Sequence, residues 1–270
     1  MSDRVYAIVS MYDHAELLPH FLSHYTNLGV HRILVAIRTN QRNDMFERAE
    51  QEARHFPASI YWRPTEKFAD SEKSEVEQSI LQENNVQPDD YVMHLDLDEF
   101  QEYPVPLAEI VKLMNARDDW ALRGWILDRV AANGELLAIM PSPSIGEQFP
   151  IGCELTKILL RAWTQKIMLC RGRVQLQGGV RHDTCNAYYD DIPIGQSEQY
   201  IVHHFKWING LVPRLQERME KAAIGPAYAN ECRRFIDYWN KHGRIDLTDP
   251  SLCSRWLGSL PYPTITGKET

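Results

Sequence analysis

The sequence predicts an α/β fold: a Rossmann-like core with a mostly parallel sheet, a mixed second half and helices at the C-terminal end. Three observations carry that expectation. Short apolar, β-rich runs alternate with helix-patterned segments through the first hundred residues, which is how βαβ units are written. Polar and charged residues collect where the predicted strands end. Past residue 100 the alternation gives way to β-rich runs and then to two amphipathic helices.

RVYAIVSMY (4–12) reads as the first strand and stops at Asp13. In the segment 14–29, Leu17, Leu18, Phe21, Leu22, Tyr25 and Leu28 recur at helical spacing, and Gly29 supplies a C-cap. HRILVAIRT (31–39) is the second strand, 41–54 a polar helix, SIYWR (59–63) a third strand, and 71–85 a helix opened by a serine. YVMHLDLDEF (91–100) reads as a fourth strand running into acidic residues. The segment 104–117 is helical in pattern and 120–131 is strand-like. Residues 132–160 are irregular, 165–179 and 199–207 are β-rich, and 211–242 holds two amphipathic helices. The expected organisation is one domain over 1–210, with a nucleotide-binding half at 1–103 and an acceptor half at 104–210. A C-terminal helical extension covers 211–270.

Composition narrows the function classes. Of 270 residues 44% are hydrophobic and 24% charged, an ordinary globular balance. Twenty-nine basic residues against 37 acidic give a formal charge of −8, and no Lys/Arg cluster forms a nucleic-acid footprint. No apolar run approaches the roughly 20 residues a membrane span needs, and the N-terminal residues lack the pattern of a signal peptide. Five dispersed cysteines without a C-x-x-C spacing argue for reduced thiols. The expectation is a cytoplasmic protein without a transmembrane segment; peripheral membrane attachment stays open.

In open α/β sheets ligands bind beyond the carboxyl ends of the strands. Asp13, Arg38, Arg63 and the group Asp96, Asp98 and Glu99 all fall there. Strand alternation would place Asp96 and Asp98 on one side. Adjacent carboxylates are costly unless a cation or solvent compensates them, and an all-oxygen set suits Mg²⁺ or Mn²⁺. A solvated acidic strand end is the plainer alternative. Lys73, in a helix's first turn, opposes the helix dipole unless it faces an anion; with Arg63 it flanks the expected site and would neutralise a diphosphate. Asp13 can meet a base or ribose, or cap the following helix. Trp125, Trp163 and Trp207 are candidates to pack on sugar rings, or core residues.

DLDEF after an apolar strand resembles the D-x-D motif of GT-A glycosyltransferases, closest to family 2-like and family 92-like members. The segment SMYDHAELLPHFLSHYTNLGVHRILVAIRTN (10–40) is also similar to them. QKIM (165–168), GGVRH (178–182) and VHHF (202–205) resemble their K-x-I, G-V-H and H-Y elements. The chain departs at Tyr12-Asp13-His14, where Asn-Glu is common, at Arg181, and at Phe205 for Tyr.

The resemblance implies a metal-dependent transferase moving a sugar from a nucleoside-diphosphate sugar, UDP-linked in preference, to a glycan or lipid-linked acceptor, with inversion. It implies Asp96, Asp98, His182 and His204 as the metal group, with Glu99 orienting them. Asp13, Arg38, Arg63, Lys73, Asp96 and Lys166 are implied for the donor. Asp183 is the first candidate for the base, with Glu154 and Asp128 behind it. Two other classes compete: a Mg²⁺-dependent phosphohydrolase or phosphotransferase with an Asp nucleophile, and a noncatalytic sugar-nucleotide-binding module.

Overall fold

A computed structural model describes residues 4–12, 14–65, 70–176, 193–221, 225–249 and 252. The chain forms two compact units, each assembled from two stretches: residues 1–125 with 165–202, and residues 126–164 with 203–270.

The first unit has the expected mixed α/β architecture. Strand β1 (Val5–Met11) is buried at every residue and leads through a 3-10 turn into α1 (Leu18–Leu28). Gly29 ends α1 in the left-handed region, at φ 93°, which a side chain would disfavour. β2 (Arg32–Ile37), α2 (Asp44–Ala53), β3 (Ala58–Trp62), α3 (Asp70–Glu83) and β4 (Tyr91–Leu95) complete the repeating series. The Asn43 side chain accepts from the Phe46 amide and caps α2. β1, β2, β3 and β4 are parallel, β1 pairing with both β2 and β4. Their long apolar runs follow from helices covering the sheet; Ile80 and Leu81 of α3 pack on Tyr6, Ile8, Leu34 and Val92.

The chain then passes through β5 (Glu99–Glu102), α4 (Leu107–Arg117) and β6 (Ala121–Val130). The second stretch of this unit supplies β8 (Gln165–Arg171) and most of β9 (Ile194–His204). Strand order is β3-β2-β1-β4-β8-β6-β9-β5, with β8 antiparallel to both β4 and β6. Gly124 of β6 sits where a side chain has no room: a Cβ there would lie 2.6 Å from the Tyr200 carbonyl oxygen.

The acidic segment departs from the single strand expected over 91–100. β4 stops at Leu95, Asp96 to Asp98 form a turn closed by Glu99 N–H donating to Asp96 O (3.1 Å), and β5 begins at Glu99. Strand alternation therefore does not relate Asp96 to Asp98. β5 lies four places from β4 in strand order, about 19 Å in a flat sheet, whereas the four residue steps from Leu95 to Glu99 reach about 14 Å at most. The sheet must curl to admit the turn. α1 fixes β5 in place: Tyr25 Oη donates to Glu99 O (2.9 Å) and His24 Nε2 meets Gln101 O (2.9 Å).

In the second unit, β6 runs on to Val130. Two short helices, α5 (Ile145–Gln148) and α6 (Leu155–Ile158), flank β7 (Ile151–Cys153), which pairs antiparallel with Asp128 to Val130. The stretch expected to be irregular thus carries short elements, too brief to leave a periodic signature. α7 (Leu211–Lys221) and α8 (Pro226–His242) are the two expected helices. Trp207, Leu211, Leu215, Phe235 and Ile236 fill their core.

Candidate functional site

The order β3-β2-β1-β4 places the chain reversal at β1: the connections from β1 step one way to β2 and β3, and β4 lies on the other side. Such a switch point leaves a crevice at the strand ends. Asp96 stands at these strand ends, one residue beyond β4.

Two lysines converge on Asp96. Lys73 of α3 forms an ion pair with Asp96 Oδ1, and Lys166 of β8 donates to Asp96 Oδ2 at 2.7 Å. Lys166 also pairs with Glu99 Oε1, while Glu99 Oε2 accepts the Asp96 amide at 3.1 Å. The folding explains the convergence. β4 and β8 are antiparallel with Tyr91 opposite Arg171 and Val92 opposite Cys170, so the register continued to the end of β4 brings Lys166 opposite Asp96. Lys73 and Glu77 are four residues apart on α3 and so share a face. Both lysines are buried, Lys73 6% exposed and Lys166 3%, as is Glu99; the Asp96 side chain keeps 37% of its surface. Buried ammonium groups are tolerated only when paired, and here their anions surround a partly open turn. Asp98 is half-buried in the same turn.

One helical turn beyond Lys73, Glu77 is buried between β1 and β4. Its Oε1 accepts from Ser10 Oγ at 3.1 Å and its Oε2 meets His94 Nδ1 at 3.0 Å. His94, in β4, is thereby a buried histidine with a hydrogen-bond partner. Glu77 itself escaped sequence reasoning, although its four-residue spacing from Lys73 was a usable signal.

Arg38 follows β2 and is 2% exposed. Its guanidinium lies over the Tyr12 ring, 4.8 Å from the centroid, and Nη2 donates to Glu72 Oε2 at 2.7 Å. Nε and Nη1 are buried without a hydrogen-bond partner among the described residues. Such groups cost stability, and an acceptor oxygen arriving at the strand ends would satisfy them. Arg63 is otherwise engaged, by Glu83 and the Tyr61 ring, and makes no polar contact with the Asp96 group among the described residues.

Asp128, Glu154 and His204 belong to the second unit. Asp128 is fully buried and accepts four hydrogen bonds: Thr156 N (2.5 Å), Thr156 Oγ1 (2.7 Å), Trp207 Nε1 (2.8 Å) and His204 Nδ1 (3.1 Å). A carboxylate so engaged and closed off from solvent is a structural anchor, poorly placed to take a proton from an acceptor. Trp207 is fully buried and is therefore core and not a sugar platform; Trp125 and Trp163 keep open surface. Glu154 precedes α6 and pairs with Lys157 at 3.4 Å. Asp13, His182 and Asp183 lie outside the described residues, so the first candidate base and one candidate metal ligand have no described position.

Among the described residues no three His, Cys, Asp or Glu side chains are grouped as a ready-made metal cage. Asp96 and Asp98, expected as metal ligands, stand in the acidic turn, and they are the carboxylates that could share a hard divalent ion with phosphate oxygens of a bound substrate. No described helix is long and apolar enough to cross a membrane. Cys153, Cys170 and Cys232 are buried.

The first unit is thus a Rossmann-like α/β body with a charged, partly open site at its switch point. No protein-family model matches the sequence, and no curated protein is similar to it at a significant level. Among solved structures the chain is similar to TarS of S. aureus, at TM-score 0.46 and 10% identity, over 90% of this chain and 44% of that one. It is similar also to TarS 1-349 (0.41, 10%, 92% and 74%). A third likeness is to a 4-diphosphocytidyl-2C-methyl-D-erythritol synthase (0.37, 12%, 64% and 77%). The chain spans less than half the length of the full TarS chain. At such identity the likenesses say nothing about activity.

Proposed function

We propose that this protein is a glycosyltransferase that moves a sugar from a nucleoside-diphosphate sugar to an acceptor hydroxyl. The observation that carries the reading is the convergence of two buried lysines on the acidic turn at the switch point. Lys73 and Lys166 place ammonium donors where a donor diphosphate would lie, and Arg38 offers, at the neighbouring strand end, two donors with no partner among the described residues. Asp13, beside Tyr12, is proposed to meet the ribose or base; Arg63 has no part in this arrangement.

In the proposed reaction the acceptor oxygen bonds to the anomeric carbon as the bond from that carbon to the phosphate oxygen breaks, with inversion. The electron pair leaves with the nucleoside diphosphate. The acceptor proton passes to a carboxylate, for which Asp183 is proposed. Lys73 and Lys166 stabilise the negative charge that builds on the leaving group. A Mn²⁺ or Mg²⁺ ion on Asp98 and Asp96 would add Lewis-acid stabilisation of that charge. His182 is the residue proposed to complete its shell, whereas His204 is held by Asp128. A phosphohydrolase with an Asp nucleophile is the poorer reading, because the D-x-D stands after the fourth strand of the series and is followed by Glu-Phe. The donor is proposed to be UDP-linked and the acceptor a glycan or lipid-linked glycan, handled in the cytoplasm.

A thermal-shift panel of UDP-, GDP-, CMP- and dTDP-sugars with and without Mn²⁺ tests the reading. One class should raise the melting temperature in a Mn²⁺-dependent way, and Asp98→Ala should remove that response. A panel with no response, or one unchanged by Asp98→Ala, contradicts it.

A further inference from the structure

We propose that Trp125 is the acceptor platform: a pyranose ring of the acceptor stacks on its indole, two strands across the sheet from the Asp96 turn. The inference rests on the proposed function and deepens it, naming a sugar ring as the acceptor group and the side chain that holds it.

β4 and β6 run in the same direction, because β8 lies between them and is antiparallel to both. Gly124 is the register partner of Lys166, which donates to Asp96 Oδ2 at 2.7 Å, and Trp125 is the partner of Gln165. Trp125 thus stands one residue past the level of the Lys166–Asp96 contact, at the same end of the sheet. Two strand spacings separate it from β4, about 10 Å between strand axes. Strand order sets out the places in sequence: Arg38 after β2, the acidic turn after β4, Lys166 on β8 and Trp125 on β6. A donor with its nucleoside toward Arg38 and its diphosphate at Lys166 extends its sugar toward β6, where the acceptor meets it.

Trp125 has the character of a platform. It is 38% exposed, whereas the other residues of β6 are buried or half-buried. Burial favours an apolar side chain more the larger it is, so a strand that covers Ala121 and Leu122 and leaves out its indole runs against that preference. The backbone beneath is closely held: a Cβ on Gly124 would lie 2.6 Å from the Tyr200 carbonyl oxygen of β9. An indole face carries partial negative charge, which suits the C–H groups lining one side of a pyranose, and its rigid ring is ordered at little entropic cost. Gln165 lies across the ladder from it and Arg123 two residues along the strand, both on its side of the pleat. Such polar groups at the rim of an aromatic face match the hydroxyls of a sugar. A simple alcohol offers the indole no ring face, so the platform selects sugar acceptors.

Fluorine NMR on the full chain labelled with 5-fluorotryptophan tests the platform, at saturating UDP and Mn²⁺. The probes are the methyl pyranosides of glucose, galactose, mannose and N-acetylglucosamine, with glycerol as the control alcohol. The Trp125 resonance is assigned by its absence from Trp125→Phe. At least one pyranoside should shift it, and glycerol should not. In saturation-transfer titrations Trp125→Ala should bind that pyranoside at least about tenfold more weakly, and Trp125→Phe within about threefold of wild type. Both variants should bind UDP within about twofold of wild type. UDP binding with no pyranoside effect on Trp125, or pyranoside affinity unchanged in Trp125→Ala, overturns the platform and leaves the proposed function intact. Equal losses of UDP and pyranoside affinity in Trp125→Ala mark a structural residue and overturn it too. Absence of UDP binding under every condition removes the proposed function and the platform with it. The resonance shift is read on the wild-type sequence, so the inference is decided even if Trp125→Ala does not fold.

Discussion

Replacing Lys166 by methionine separates the structural and ligand-binding roles of the charged turn. Lys166 is 3% exposed and bridges Glu99, whose side chain is 4% exposed, to the more open Asp96. Methionine preserves the length of the stem and removes the charge. Asp96 keeps Lys73 and is partly open to water, so its loss of one partner costs little. Glu99 is different: it keeps the Asp96 amide as a donor but becomes a buried carboxylate with its ion pair gone. Breaking a buried pair from one side costs about 3–5 kcal/mol. At a few degrees of melting temperature per kcal/mol for a domain of this size, Lys166→Met should melt about 10 °C lower. Adding Glu99→Gln removes the stranded charge, so the double variant should regain about 2 kcal/mol over Lys166→Met alone. It should nevertheless bind UDP no better than the single variant. Urea unfolding with an unchanged slope measures the stabilities. A Lys166→Met cost under about 1 kcal/mol, or strictly additive single and double variants, refutes the buried-pair reasoning.

Three further outcomes follow from the same geometry. Asp128→Asn should destabilise by about 3 kcal/mol or more, because an amide nitrogen would face donors that now bond a carboxylate. Full stability with lost turnover would instead mark Asp128 as a base. Arg38→Met should leave unliganded stability within about 1 kcal/mol of wild type, the orphaned buried nitrogens offsetting the lost Glu72 and Tyr12 contacts. UDP affinity should fall at least about tenfold; unchanged affinity excludes Arg38 from the ligand site. Burial holds the Glu231 carboxyl above its ordinary 4.5, against the pull of Lys206 and Arg234. The folded state therefore binds the proton more tightly, and stability is lost as pH rises through the folded value. Glu231→Gln should match wild type near pH 4 and melt higher at pH 7; identical melting at both pH values contradicts that assignment.

The parallel half of the fold was legible because its strands are short apolar runs bounded by polar residues, and α1 carries its own cap signal at Gly29. The acidic segment was misread as one strand. Leu95 and Leu97 suggested continued alternation, but a three-residue turn between strands distant in sheet order is a tertiary feature that local pattern does not encode. Asp96, Glu99, Lys73 and Lys166 were each singled out in the sequence, and the structure brings them together. Their mutual pairing was not foreseen, because it depends on the antiparallel register of β8, seventy residues away in the chain. Asp128, His204 and Trp207 were also singled out, but as separate catalytic, metal and sugar-contact residues. His204 and Trp207 both bond to Asp128, as does Thr156, which carried no signal of its own. Buried polar clusters of this kind use the residue types of active sites, and only accessibility tells them apart.

The central claim is that the acidic turn handles a nucleoside-diphosphate sugar. Its most direct test is product analysis after incubating the protein with a UDP-sugar, Mn²⁺ and a glycan or water as acceptor. The account predicts release of UDP with transferred or free sugar, lost in Asp98→Ala and in Lys73→Gln. Release of inorganic phosphate in place of UDP, or UDP formation that persists in Asp98→Ala, would contradict it.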